Sequence, residues 1–182
     1  MNIFVLDTNP AIAASYHCDQ HLHKMILESA QMLSTVARYY APKWDKDLYS
    51  SYYKPTHENH PCTVWLRHSL NNCAWLVELC NALNDQRLSV ANCDDHASMR
   101  VVNLFAEDFL AHSWQPRKPT TTPFVFAGPE VISIRPDLDT VAKYRKYYRL
   151  KNQQWIRDGK GPMTWKNRTK PEWMTEWPKE DN

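Results

Sequence analysis

The spacing of apolar residues along the chain changes within its first ten positions. Residues 2–7 alternate only weakly, which fits either a short strand or an extended arm laid on the domain; no partner strand is evident further along. Asn9 followed by Pro10 marks a helix start. The Asn side chain can accept from free backbone N–H groups, and Pro at the first helical position loses nothing. From there Leu22, Met25, Ile26, Leu33, Val36 and Tyr40 recur at steps of three and four, predicting a helix from about Pro10 to Tyr40, broken near Cys18, with one core-facing stripe.

Residues 41–60 contain Pro42, Pro55 and a run of Tyr, Ser, Asn and His, the composition of a long connection. Asn59-His60-Pro61 opens a second helix to about Arg87. Its positions Cys62, Leu66, Ser69, Cys73, Leu76, Cys80 and Leu83 form a near seven-residue repeat suited to packing on the first helix. A third helix is predicted from about Asp95 to Ala111 on Val101, Val102, Phe105 and Phe109. Five prolines between 114 and 136 exclude regular structure there. Pro136-Asp137 begins a last helix to about Asp158, with Val141, Tyr144, Tyr148 and Trp155 on one side, and the tail from Gly159 is irregular and rich in tryptophan. The pattern predicts an all-α fold: one compact domain over 1–182, of about four helices, with long loops rich in proline and aromatic residues.

Composition narrows the classes of function. With 43% apolar and 23% charged residues, the chain has the make-up of a folded globule. Three glycines in all leave no glycine-rich phosphate loop or dinucleotide fingerprint, and no other cofactor motif is present. No membrane span or signal peptide is visible. The five cysteines form no C-x-x-C pair and read as reduced, buried thiols of a cytoplasmic protein. The net charge of +2 conceals an asymmetry: residues 1–142 carry 11 Lys/Arg against 15 Asp/Glu, whereas residues 143–170 carry 10 against 1. Such a block is the footprint of a phosphate-binding surface.

Three groups of residues carry candidate chemistry. On the first helix His21, Lys24, Glu28 and Gln31 share one face, bordering the apolar stripe, so that Glu28 is partly withdrawn from water and suited to proton transfer. His17, His21, His57 and His60, with Cys18, offer helical spacings that could ligate zinc, although neither spacing is a recognised signature; hydrogen-bonded structural histidines are the commoner outcome. The third group is basic and aromatic: Lys143, Tyr144, Arg145, Lys146, Tyr147, Tyr148, Arg149 and Lys151, then Trp155, Trp165, Lys166, Arg168 and Lys170. Cations neutralise phosphates there and rings stack on unpaired bases.

Asp19-Gln20-His21-Leu22, with Glu28 seven residues after the histidine, resembles the first helix of the phage pyrimidine-dimer DNA glycosylases, the endonuclease V family. His60 lies at about the family's spacing from that histidine, and the order of arm, glutamate helix, second helix and basic aromatic C-terminus is similar. The resemblance covers roughly residues 16–83. It implies a DNA glycosylase/AP lyase in which an N-terminal amine attacks the sugar C1′ of a damaged nucleotide, a Schiff base forms, and Glu28 stabilises the cationic sugar. Gln20 and His21 would contact double-stranded DNA near the lesion. Asn2 is too large for the usual removal of the initiator residue, so the amine would be that of Met1, with Lys24 as the substitute nucleophile. Leu27 and Gln31 stand where the family places arginines. Residues expected to bind DNA are therefore Gln20, His21, His60, Arg145, Lys146, Arg149, Lys151, Trp165, Lys166 and Arg168. The expected setting is cytoplasmic, the host cytoplasm for a phage-encoded chain, without cofactor or obligate protein partner. Two rival readings remain: a non-enzymatic nucleic-acid-binding accessory protein, and a nuclease using a His-ligated metal.

Overall fold

Asn9 caps the first helix. In the computed structural model, which describes residues 1–40, 50–110 and 122–175, Asn9 Oδ1 accepts from the N–H groups of Ala11 at 2.9 Å and Ile12 at 3.3 Å, and Pro10 fills the first position of α1 (Pro10–Tyr16). The chain then extends at His17 and restarts as α2 (Asp19–Tyr40), the expected break at Cys18. Nδ1–H of His17 donates to the Ala13 carbonyl at 2.7 Å, the group a continuing helix would have used. Asp19 N–H turns instead to Thr164 O in the tail, at 2.8 Å.

The second helix is two. α3 (Pro61–His68) ends at Ser69, which is extended (φ −159°, ψ 138°), and α4 runs from Leu70 to Val90. Ser69 fits the seven-residue repeat, but its hydroxyl accepts from Asn71 N–H at 3.1 Å and caps a new helix. The carbonyls freed at the break are taken by side chains: Trp65 O by Asn72 Nδ2 at 2.7 Å and Leu66 O by Cys73 Sγ at 3.2 Å. α5 (Met99–Phe105) continues in a π-helical turn, Ala106–Leu110. It starts later than expected because Asn84 on α4 holds the preceding residues, donating to Asp95 at 2.7 Å and accepting from His96 N–H at 2.9 Å. The expected end at Ala111 and the loop residues 114–121 lie outside the described residues.

A short helix, α6 (Glu130–Ser133), follows Pro129 inside the segment expected to be irregular. Proline is tolerated ahead of a helix even though it excludes one further in. α7 (Thr140–Arg157) begins after Asp139, whose carboxylate accepts from Ala142 N–H at 2.7 Å; Asp137 pairs with Arg135 instead. A 3-10 turn, Glu172–Met174, closes the described tail. The fold is thus all-α, with seven α-helices among the described residues where the pattern predicted about four. No strand occurs among them, and none of these helices is long and apolar enough to cross a membrane. α1 and α2 pack on α4, and α2 also packs on α3 and α5. The arm, residues 2–6, is buried within the same core, as are Tyr144 and Tyr148 of α7. All five thiols are unbridged, four of them buried.

Candidate active site at the N-terminal amine

The buried arm is fixed by its own second residue. Asn2 Oδ1 accepts from the N–H groups of Ile3 at 2.8 Å and Phe4 at 3.0 Å, while Nδ2 donates to Ala127 O at 2.5 Å. Phe4 adopts a left-handed backbone (φ 39°), which costs a non-glycine residue on the order of 1 kcal/mol. Its ring offsets that cost by packing: it stacks on His21 with centroids 5.2 Å apart and meets Tyr148 edge-on at 5.3 Å.

This path sets Met1 against α2. The Met1 amine is 3.7 Å from Glu28 Oε2, and Asn2 N–H donates to the same oxygen at 2.8 Å. Lys24 Nζ is 3.7 Å from Oε1, the i, i+4 geometry the helix dictates. Glu28 is only 14% exposed and Lys24 55%, so the carboxylate is partly desolvated while one of its cations stays in water.

Three further residues border the site. His60 caps α3: its Nδ1 accepts from Cys62 N–H at 3.2 Å, which leaves the ring proton on Nε2. Burial lowers the His60 pKa, the Met1 ammonium and His57 lower it further, and Glu28 opposes them; the ring is held neutral beside the amine. Lys151, half-buried on α7, has its pKa lowered by burial and by Lys24, against the pull of Glu28. Its Nζ sits 6.0, 5.9 and 5.8 Å from the ring centroids of Phe4, Tyr147 and Trp155. Burial and the nearby Glu28 charge raise the Tyr147 pKa.

Other candidates are placed elsewhere. His21 is fully buried, with Nδ1 2.7 Å from the Tyr148 hydroxyl, and burial, then His17 and the nearby lysines, lowers its pKa to about 2. The imidazole packs in the core, where the sequence reading expected a contact with DNA. His17 is equally buried. His57 and His60 lie at the entrance of α3, with ring centroids 6.5 Å apart. Among the described residues no group of three or more His, Cys, Asp or Glu side chains could hold a metal ion; the spacing of the histidines put them on suitable helical positions, but the core took two of them.

The basic segment is divided in the same way. Arg145 donates to Leu6 O at 2.8 Å, pairs with Asp7 at 3.2 Å, and lies over the Tyr16 and Trp173 rings. Arg149 donates to Trp173 O at 2.9 Å. Arg168, 7% exposed, pairs with Asp19 at 2.7 Å, and Trp165 is buried with Nε1 donating to Tyr16 O at 3.1 Å. Arg145 ties α7 to the arm and Arg149 ties α7 to the tail, while Arg168 and Trp165 tie the tail to α2 and α1. Gln20 remains exposed but accepts from Thr164 N–H at 3.2 Å. Lys166 is exposed and Lys146 half-exposed, leaving fewer surface cations than the sequence suggested. A cleft of about 690 Å³ opens between Tyr16, Arg145, Arg168, Lys170 and Trp173. Two site features escaped sequence reading. Sequence reading names Lys151 as a DNA-binding residue without setting it near Glu28, and reads Asn2 only through the retention of Met1, with no sign that its side chain fixes the arm.

No protein-family model, curated protein or solved structure matches the chain.

Proposed function

We propose that the chain is a DNA glycosylase/AP lyase of the pyrimidine-dimer type, using the Met1 α-amine as nucleophile and Glu28 as its carboxylate partner. The observation that carries this reading is the position of that amine, 3.7 Å from a carboxylate 14% exposed. A buried arm, strained at Phe4, leads to it. An ordinary surface helix needs neither the arm nor the strain.

The chemistry follows from those two groups. Glu28 takes a proton from the ammonium, and the neutral amine attacks C1′ of the sugar. The C1′–N bond breaks, and the base departs with the bonding electrons and gains a proton. Opening of the sugar ring leaves a C1′=N Schiff base, whose positive charge Glu28 faces. Loss of a C2′ proton expels the 3′ phosphate, and water releases the amine. No cofactor is required. The attacked nucleotide must leave the base stack to meet a recessed amine, which suits duplex DNA carrying a damaged base, in the cytoplasm of the cell or of a phage host.

Borohydride trapping on duplex DNA with an abasic site or a pyrimidine dimer tests the proposal. A covalent adduct mapped to Met1 supports it, and an adduct on Lys24 moves the nucleophile by one turn of helix. Intact binding without any adduct replaces it with the accessory-protein reading, which the remaining exposed lysines would serve.

A further inference from the structure

His96, just ahead of α5, is buried, and both of its ring nitrogens are engaged. Its Nδ1 lies 3.0 Å from Ser98 N; a backbone N–H can only donate, so Nδ1 accepts. A neutral imidazole carries one ring proton, which therefore sits on Nε2. That nitrogen stands 3.3 Å from Nε2 of His23 on α2, with the ring centroids 4.1 Å apart. His96 donates and the His23 lone pair accepts, so the two nitrogens meet through a hydrogen bond, and His96 Nε2 has no lone pair left for a metal ion. His96 also opens the turn into α5. Its carbonyl accepts from Met99 N–H at 2.7 Å. Ser98, at the N-cap, makes no capping bond with its side chain, and its hydroxyl meets that of Tyr53 at 3.0 Å instead.

We infer that His23 and His96 form a proton-sensitive joint, which ties the start of α5 to α2 while both rings are neutral and releases it in acid. A proton on His96 Nδ1 sets two N–H groups face to face at Ser98. A proton on His23 Nε2 does the same between the rings, and that bond cannot reverse its direction unless His96 moves its own proton to Nδ1 and gives up Ser98. Every protonation thus costs the joint at least one bond. The surroundings do not compensate the added charge. Burial, then His23, then Arg87 of α4 lower the His96 pKa to about 4. Among the described residues no carboxylate lies within 4.0 Å of either ring; Asp95 is held by Asn84 of α4 at 2.7 Å, and Arg87 donates to the carbonyl of Asp94. The folded value lies below that of a free imidazole, about 6.5, so the joint is whole above about pH 6.5 and weakens as pH falls toward about 4. It is independent of any chemistry at the Met1 amine.

Amide hydrogen exchange of the intact protein reads the joint at Ser98, whose N–H is covered by His96 Nδ1, with Leu79 in the buried face of α4 reporting global opening. After correction for the pH dependence of intrinsic exchange, Ser98 protection is expected to fall about twentyfold between pH 7 and pH 5, the linkage of one imidazole between folded and open values of about 4 and about 6.5, and to stay below that of Leu79 at both. His96→Asn places a carbonyl oxygen where Nδ1 accepts and does not titrate, and is expected to keep Ser98 protection constant within about threefold over the same range. A wild-type change of less than about threefold, or Ser98 protection equal to that of Leu79 at both pH values, overturns the inference, and neither reading needs the variant to fold. A full fall retained in His96→Asn overturns it as well, because the proton then acts elsewhere. So does a His96 ring shown by nitrogen NMR at pH 7 to carry its proton on Nδ1.

Discussion

The Tyr148 hydroxyl lies 2.7 Å from Nδ1 of His21, joining α7 to α2 behind the candidate site. The same hydroxyl accepts from Cys18 N–H at 3.0 Å and donates toward Cys18 Sγ at 3.3 Å. Tyr148→Phe therefore leaves a buried backbone N–H and an imidazole nitrogen without partners, at about 1–3 kcal/mol each. We expect it to lower stability by about 2–4 kcal/mol in urea unfolding. A loss below about 0.5 kcal/mol means the three contacts are not a structural joint.

Glu28→Gln separates chemistry from structure. The amide oxygen still accepts from Asn2 N–H, so the arm should stay in place and the melting temperature should move little. The carboxylate that receives the amine's proton is gone, and the rate of adduct formation should fall by about 10²-fold or more. An unchanged trapping rate would remove Glu28 from the mechanism.

Acid should destabilise the fold through its buried histidines. Burial lowers the His17 pKa to about 4, helped by Arg168 and opposed by the Ala13 hydrogen bond; it lowers His96 to about 4 and His21 to about 2. The unfolded chain takes up protons near pH 6.5 while the folded chain stays neutral. Stability is therefore complete above about pH 6.5 and declines as pH falls toward about 4, with His21 extending the loss to about 2. Each histidine contributes a slope of about 1.4 kcal/mol per pH unit in that window. Urea unfolding at pH 7 and pH 5 measures it, and His17→Gln should flatten the curve. Equal stability at the two pH values would mean that these rings are charged in the folded protein.

The clamp between Arg168 and Asp19 predicts a larger effect than a surface ion pair. Burial alone would raise the Asp19 pKa, but hydrogen bonds from Arg168 and from Lys166 N–H win and hold it below the usual carboxylate value. Asp19→Ala strands a guanidinium that is 7% exposed, and breaking such a pair from one side costs about 3–5 kcal/mol. Thermal unfolding should show the loss, with the tail near Thr164 becoming open to proteolysis. A change of the size typical of exposed pairs, below about 1 kcal/mol, would place the tail's anchorage elsewhere.

The all-α class, the starts of the helices at Asn9-Pro10 and His60-Pro61, the break near Cys18, and the face on which Lys24 and Glu28 meet are legible in the order of residues alone. Each is a local matter of caps, proline and three- or four-residue spacing, decided within a turn or two of helix. That the arm runs through the core to deliver Met1 to Glu28, 26 residues from Asn2, follows from packing between distant segments. The fates of the cations were also decided there. Arg168 faces inward because Asp19, 149 residues away, meets it, whereas Lys151 pairs with no carboxylate among the described residues and lies over the rings of Phe4, Tyr147 and Trp155. Periodicity tells which side of a helix is apolar; it carries no information about which distant carboxylate or ring will stand opposite a charge, and that pairing separates structural arginines from a candidate site.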